Sequence, residues 1–263
     1  AKENQKKMGN KKMLIIIQAR MNSKRLPGKV LKKIMGRSVL EHIILRLSFF
    51  KRYLVVSTSE NLKDKKIVDF CKEQKIKYFV GSELDVLDRF YKTALYFKAK
   101  NIIRITADCP LVDCRIIKKL INFFFKSNYD HAGIATGAGV SNLKCNKFPD
   151  GMDAECFKFS ALKIAWEKAK KKLDREHVTP YIWKNKKKFK IGILIPKKNY
   201  SYYRLTIDNN EDLKFIRIIF KKLYKLNNFF SMESVIDLLR QNPLLLELNK
   251  KYIGKENYKK IFN

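Results

Sequence analysis

The chain predicts an α/β fold, a doubly wound and mostly parallel sheet with helices on both faces. Three observations carry that expectation. Short apolar runs rich in Ile and Val recur along the chain, too short for buried helices and therefore strand-like. Between them lie stretches with apolar residues at helical spacing. Several of those stretches open on a capping signature. Strands alternating with helices at this spacing argue for parallel pairing with both faces covered.

Taken in order, residues 13–17 form the first strand, a run of Met, Leu and Ile. A polar loop of about a dozen residues follows, holding Arg20, Lys24, Arg25 and Lys29, with Pro27 and Gly28 near its end. Ser38 and Glu41 make a capping box for a helix whose apolar face is Leu40, Ile43, Ile44 and Leu47. Residues 53–56 are the second strand, and Asn61 and Asp64 open a helix with Ile67, Val68 and Cys71 inward. Residues 77–80 are the third strand, ending at Gly81. Ser82 and Asp85 then repeat the cap before a helix reaching about Lys98. Residues 101–106 are the fourth strand and 116–125 a helix. Periodicity fails over 132–147, where Gly133, Gly137 and Gly139 suggest a loop beside a site or a linker. Beyond it come a strand at 153–159, a helix at 161–169 and a strand at 189–195. Two helical stripes follow, one of Leu213, Ile216 and Phe220, the other of Met232, Val235, Ile236 and Leu239, stopped by Pro243.

These elements divide into a disordered leader over 1–12, one domain over 13–245 with an inserted substrate- or partner-facing section over 132–200, and a tail over 246–263. The 263 residues suffice for one large core. Lys plus Arg number 58 against 25 Asp plus Glu, a formal charge of +33 that raises nucleic acid as a partner. The excess is mostly Lys and is spread through nearly every segment, so it reads as compositional bias and no specific nucleic-acid partner is expected. Five cysteines lack paired metal-type spacing, which fits free thiols in a reducing cytoplasm. No run of eighteen apolar residues spans a membrane.

A positively charged loop after a buried strand is suited to an anion, although a basic surface loop in a basic chain has the same composition. Arg20 and Lys29 are the candidate phosphate cations, Arg gripping oxygens bidentately and Lys acting as a point charge, with Arg25 a third. Gly28 permits close backbone approach to a ligand. Gln18 and Ala19 end the strand at the edge where open α/β sheets gather ligands, and would meet a pyrimidine there.

The stretch Q-A-R-x-x-S-x-R-L-P-G-K resembles the opening signature of the sugar-activating cytidylyltransferases, and most resembles the SpsF-type spore coat polysaccharide biosynthesis proteins. The likeness continues in GSELDVLDR from 81, RITADCPLVD from 104, FPDGMDAE from 148, REHVTPY from 175 and RLTIDNNED from 204, spanning most of the chain. It implies a Rossmann-like nucleotidyltransferase fold and a magnesium-dependent cytidylyltransferase that moves CMP from CTP to a sugar or a sugar-like acid or phosphate acceptor, releasing pyrophosphate, for surface polysaccharide or glycoconjugate biosynthesis. Two other readings stand beside it: a nucleotide-sugar-dependent glycosyltransferase, and a basic binding protein with a degenerate site.

By the same resemblance Asp108, after the fourth strand, is a magnesium ligand, and Asp208 is the second; a turn cap and a helix N-cap are the alternatives. Asp212 reads as a first-turn helix residue. Arg104, Asp150, Asp153, Glu155, Glu176 and His177 are the substrate-facing candidates. Asp153 and Glu155 share a strand face that meets sugar hydroxyls or solvent, and His177 is a titratable or merely structural imidazole. Asp85 would help to position the nucleotide or cap its helix. His42 is expected on a helix surface, and His131 carries no assigned role. Asn22 and Ala107 stand where many relatives have Gly. The family's frequent dimers imply a homodimer, with the aromatic stretch 200–203 as one contact.

Overall fold

The computed structural model describes residues 12–136, 145–224 and 229–254. The expected leader, apart from Lys12, and both Gly137 and Gly139 lie outside these residues. The central element is β1 (Met13–Gln18), in which Ile15, Ile16 and Ile17 are fully buried. It pairs in parallel with β4 (Leu54–Ser59) and with β6 (Asn101–Thr106). β5 (Tyr78–Gly81) extends the sheet in parallel from β4. β8 (Glu155–Lys158) lies antiparallel to β6 and to β7 (His131–Ile134), and β9 (Ile191–Leu194) pairs in parallel with β7. The seven-stranded order is β5-β4-β1-β6-β8-β7-β9, and β2 (Lys33–Ile34) with β3 (Arg37–Ser38) forms a separate small ribbon.

A strand covered on both faces feeds two cores, and β1 divides its side chains between them by alternation. Met13, Ile15 and Ile17 pack with α1 (Val39–Arg46), α2 (Lys65–Glu73), α4 (Cys114–Lys126), α8 (Asn210–Leu223) and α9 (Met232–Gln241). Leu14 and Ile16 face the other way, onto α3 (Val86–Tyr96), α5 (Phe159–Lys168) and α7 (Pro180–Lys184). The short helix α6 (Lys172–His177) lies between the last two. Truncating Ile16 to Ala would cost about 2–5 kcal/mol, the usual range for a fully enclosed aliphatic side chain.

The expected elements are present with shifted ends, and the differences have local causes. The capping box of Ser38 and Glu41 forms as read. The strand expected from 153 begins only at Glu155, because residues 150–152 make a turn in which Gly151 takes φ 99°. A side chain at 151 would collide with the Leu205 backbone at 2.5 Å, so the turn requires glycine. Residues 132–134 of the stretch read as loop belong to strand β7, with Gly133 paired opposite Glu155. The section expected as an insertion supplies most of β7, and all of β8 and β9, to the same sheet.

His42 is not at the surface. It is buried, its Nε2 lies 2.8 Å from the Ile34 carbonyl, and its ring sits 4.4 Å from that of Phe220. Val68 is only half-buried while Ile67 and Cys71 are enclosed. The domain also does not stop at 245, since two 3-10 turns, Pro243–Leu248 and Lys250–Tyr252, bury Asn249 against α8. No helix among the described residues is long and apolar enough to cross a membrane.

Candidate active site

Parallel strands deliver their carboxyl ends to one edge, and a cavity of about 840 Å³ opens there. Gln18 from β1, Thr106 to Cys109 after β6, Gly133 and Ile134 from β7, and Glu155 from β8 all line it. The antiparallel β8 is what places an amino-terminal strand residue, Glu155, directly opposite Arg104 of β6. The basic loop after β1 forms one wall through Arg20, Lys24, Arg25 and Lys29. Its course is pinned by two contacts. The Met21 amide donates to the buried carboxylate of Asp64 at 2.7 Å, and the Gly28 amide donates to the Met21 carbonyl at 2.9 Å, with Gly28 at φ 68°. Asp64 is itself held by Thr58 and Ser59 at the end of β4. Nothing in the sequence around Asp64 distinguished this anchor from an ordinary helix cap.

At the floor of the cavity, Asp108 and Asp208 converge on one ammonium. Lys29 Nζ donates to Asp108 Oδ2 at 2.7 Å, to Asp208 Oδ1 at 2.9 Å and to the Ile207 carbonyl at 2.9 Å. Burial opposes charge on Lys29, but the two carboxylates outweigh it and raise its pKa. Burial likewise works against ionised Asp108; Lys29 reverses the balance and holds the carboxyl down at about 2. Asp208 is lowered for the same reason, helped by Arg25 at 2.9 Å. Lys29, expected as a phosphate cation, bridges both carboxylates from inside the loop in this structure. Among the described residues Arg20 has no hydrogen-bond or ion-pair partner, and it lines the same cavity.

Asp208 does not end a regular strand. Residues 205–207 run extended and are tied by two amides, Leu205 to the Asp150 carbonyl at 2.7 Å and Ile207 to the Asp108 carbonyl at 2.9 Å. That second bond joins the segments carrying the two carboxylates. Ala19 is buried with its amide on the Ser57 carbonyl, and neither it nor Gly28 lines the cavity. Asp85 is also off the wall. It caps α3 through the Asp88 amide at 3.0 Å and binds Arg175 at 2.6 Å, which ties α6 to the start of α3.

The far end of the cavity is built around Glu155. Its Oε2 accepts from Arg104 Nη1 at 2.9 Å; its Oε1 accepts from Thr179 at 2.7 Å and lies 3.1 Å from His131 Nε2. Burial would push this carboxyl up, but His131, Arg104 and Thr179 hold it at about 2. Arg104 also reaches Gln18 Oε1 at 3.2 Å. Asp153 precedes β8 rather than sharing its face, yet it too lines the cavity, accepting from Thr136 and from the Gly151 amide. Burial raises its pKa, with Asp108 and Glu155 adding to the effect. Glu176 and His177 complete this end. Burial lowers the His177 pKa, with Arg104 contributing in the same direction. Between His177 and Thr179 the buried Val178 is held at φ 72°, ψ −54°, the centre of a strained γ-turn closed by the Thr179 amide on the His177 carbonyl at 2.9 Å.

Sequence reasoning missed His131 and Thr179, since nothing local marks a residue whose partner lies on another strand. It also passed over Arg204, whose guanidinium contacts Asp150, Asp208 and Asp212. Among the described residues no group of three or more His, Cys, Asp or Glu side chains is arranged to hold a metal ion by itself.

A basic loop and two carboxylates facing one cavity at the carboxyl edge of an open sheet are the parts of a nucleotidyltransferase. The comparisons give that class its family. The family model described as cytidylyltransferase matches residues 14–251, and the chain belongs to that family. It is 36% identical over 254 residues to an uncharacterized protein of Methanocaldococcus jannaschii, covering 95% of this chain and 99% of that one. It is 32% identical over 240 residues to the spore coat polysaccharide biosynthesis protein SpsF of Bacillus subtilis, covering 88% and 95%. The solved structure of a cytidylyltransferase from Leptospira borgpetersenii superposes with a TM-score of 0.81 at 31% identity, over 89% of this chain and 96% of that chain.

Proposed function

We propose that the protein transfers CMP from CTP to a hydroxyl of a sugar or sugar-like acid and releases pyrophosphate, supplying an activated sugar for a surface polysaccharide or glycoconjugate. The observation that carries this reading is the meeting of Asp108 and Asp208, a hundred residues apart in sequence, on the single ammonium of Lys29 beside the basic loop. Relatives support the direction: SpsF is named for polysaccharide biosynthesis, and a 3-deoxy-manno-octulosonate cytidylyltransferase of Trichlorobacter lovleyi is 26% identical over 136 residues, 51% of each chain.

In this reading Arg20, Lys24 and Arg25 receive the triphosphate, and Gln18 meets the pyrimidine at the end of β1. Asp108 and Asp208 offer hard oxygens to magnesium, which completes its coordination with phosphate oxygens and water and so does not need a third acid. Bound there, the ion would neutralise charge on the phosphates and stabilise the leaving pyrophosphate. Arg104, Asp150, Asp153, Glu155, Glu176 and His177 form the acceptor end, which orients the attacking hydroxyl towards the α-phosphorus. Effective concentration from such positioning is a large share of catalysis in bimolecular transfers. A homodimer belongs to this proposal, with the half-exposed Tyr202, its ring tilted against that of Tyr203 at 4.4 Å, as one contact.

The test is pyrophosphate release with CTP, UTP, ATP and GTP, each against a panel of acidic sugars. CTP with one acidic sugar should exceed every other pairing by at least about a hundredfold, the discrimination a hydrogen-bonding base site supplies. Equal, slow hydrolysis of all four without an acceptor would refute it.

A further inference from the structure

One buried residue organises the acidic edge without facing the cavity. Arg204 is 3% exposed and lies at the base of the extended segment leading to Asp208. Its Nη1 donates to Asp150 Oδ2 at 2.8 Å and its Nη2 to Asp208 Oδ2 at 2.9 Å. Its Nε and Nη2 grip the fully buried Asp212 at 3.0 and 3.1 Å. Asp212 Oδ2 in turn accepts the amides of Asp208 and Asn209, both at 3.0 Å. The side chain and the main chain of Asp208 are therefore fixed by one guanidinium, the first directly and the second through Asp212.

The C-terminal turns close the arrangement from behind. Asn249 Nδ2 donates to the Arg204 carbonyl at 3.0 Å and to Asp212 Oδ1 at 3.1 Å, and the Tyr252 ring lies 5.9 Å from the guanidinium carbon. A planar fork with five donors can hold three carboxylates at fixed angles; a lysine ammonium, a single point with a flexible stem, cannot. The alternative is that Arg204 merely neutralises buried acids, which any buried cation would do.

We propose that Arg204 is a positioning residue, which fixes the direction in which Asp208 presents its carboxylate to the cavity, with Asn249 as its support. This inference rests on the cytidylyltransferase reading of the same edge. Lys29 and Arg25 already neutralise Asp208 from the front. Arg204 sets its geometry from the rear, and the segment beyond residue 245 thereby belongs to the working site. Residues that orient a cation's carboxylate ligands typically influence cation affinity by 10–100-fold.

The experiment compares wild type with Arg204→Lys and Asn249→Ala. Manganese affinity is measured by calorimetry on protein saturated with CTP and without acceptor, alongside turnover against magnesium concentration and thermal melting. Arg204→Lys should weaken manganese binding about tenfold or more and raise the magnesium needed for half-maximal turnover by a similar factor. CTP affinity without metal should change less than about threefold, since Arg204 does not line the cavity. Asn249→Ala should give the same pattern at about threefold. A lower melting temperature with unchanged cation affinity would make Arg204 a structural counter-ion and overturn the proposal. Should Arg204→Lys fail to fold, wild-type cation affinity in Asn249→Ala has the same consequence. A wild-type enzyme inactive with every nucleoside triphosphate overturns the functional reading instead, an outcome separate from either.

Discussion

The two acidic centres of the cavity differ in what surrounds them. Asp108 and Asp208 are a fifth to a quarter exposed and are neutralised by Lys29 and Arg25, long side chains from a loop. Glu155 is enclosed by Arg104, His131 and Thr179, of which the first two stand on neighbouring strands of the sheet. Arg25 is 42% exposed at its side chain, so one of the two loop cations stands partly in solvent. Arg104 and His131 are instead held by the strand pairing that also builds the core. The contrast separates a centre partly open to solvent from one built into the sheet.

The sharpest way to break that contrast is Glu155→Gln. It leaves Arg104 and the buried His131 without their shared carboxylate, and removing one partner of a buried pair costs about 3–5 kcal/mol. Thermal melting should fall by about 6–15 °C for a chain of this size. Acid titration sharpens the same point. Because the folded pKa of Glu155 is depressed to about 2 from a normal 4.5, its contribution is present above pH 4.5 and is lost as pH falls towards 2. The melting temperature of Glu155→Gln should therefore fall less steeply over that window than that of wild type, and parallel curves would disprove the assignment.

Asp108→Asn and Asp208→Asn should shift the balance the other way, removing the chemistry at a smaller cost in fold, since each leaves Lys29 its other carboxylate. Pyrophosphate release should drop by at least about a hundredfold, near 2.7 kcal/mol, while melting falls less than in Glu155→Gln. Turnover near wild type at limiting magnesium would show that these residues only cap their turns. The smallest effect is expected at Arg25, 42% exposed at its side chain. Arg25→Ala should alter stability by less than about 1 kcal/mol, and CTP binding a few-fold at low salt, with the difference shrinking as salt is added. A salt-independent loss would place Arg25 in the fixed part of the site.

The frame was legible wherever a signal is local. The Ile run of β1, the strand at Asn101–Thr106 and the box of Ser38 and Glu41 all declare themselves within a few residues. The charges of the loop and the carboxylates of the family motifs were legible as residues, but their pairing was not. That Lys29 would face Asp108 and Asp208 depends on contacts spanning 79 and 179 positions, which no periodicity encodes. His42 was misjudged because the helix carrying it packs on two sides, against β1 and under Phe220. Asn249 lay in a stretch read as tail, and only the buried Asp212 it meets reveals that it belongs to the domain.

The backbone at Val178 has one further meaning. A β-branched residue at φ 72° stores about 1–3 kcal/mol of strain, and here that energy is contained by full enclosure of the side chain and by the hydrogen bond that the Val178 amide donates to the Asp174 carbonyl at 3.1 Å. Glycine would release the strain but forfeit about 1.5 kcal/mol or more of apolar burial and free the unfolded chain, so the tense conformer is not improved by the obvious replacement. The short turn thus ties the His177 imidazole and the Thr179 hydroxyl that grips Glu155 to one strained residue, and the placing of both rests on the enclosure of Val178.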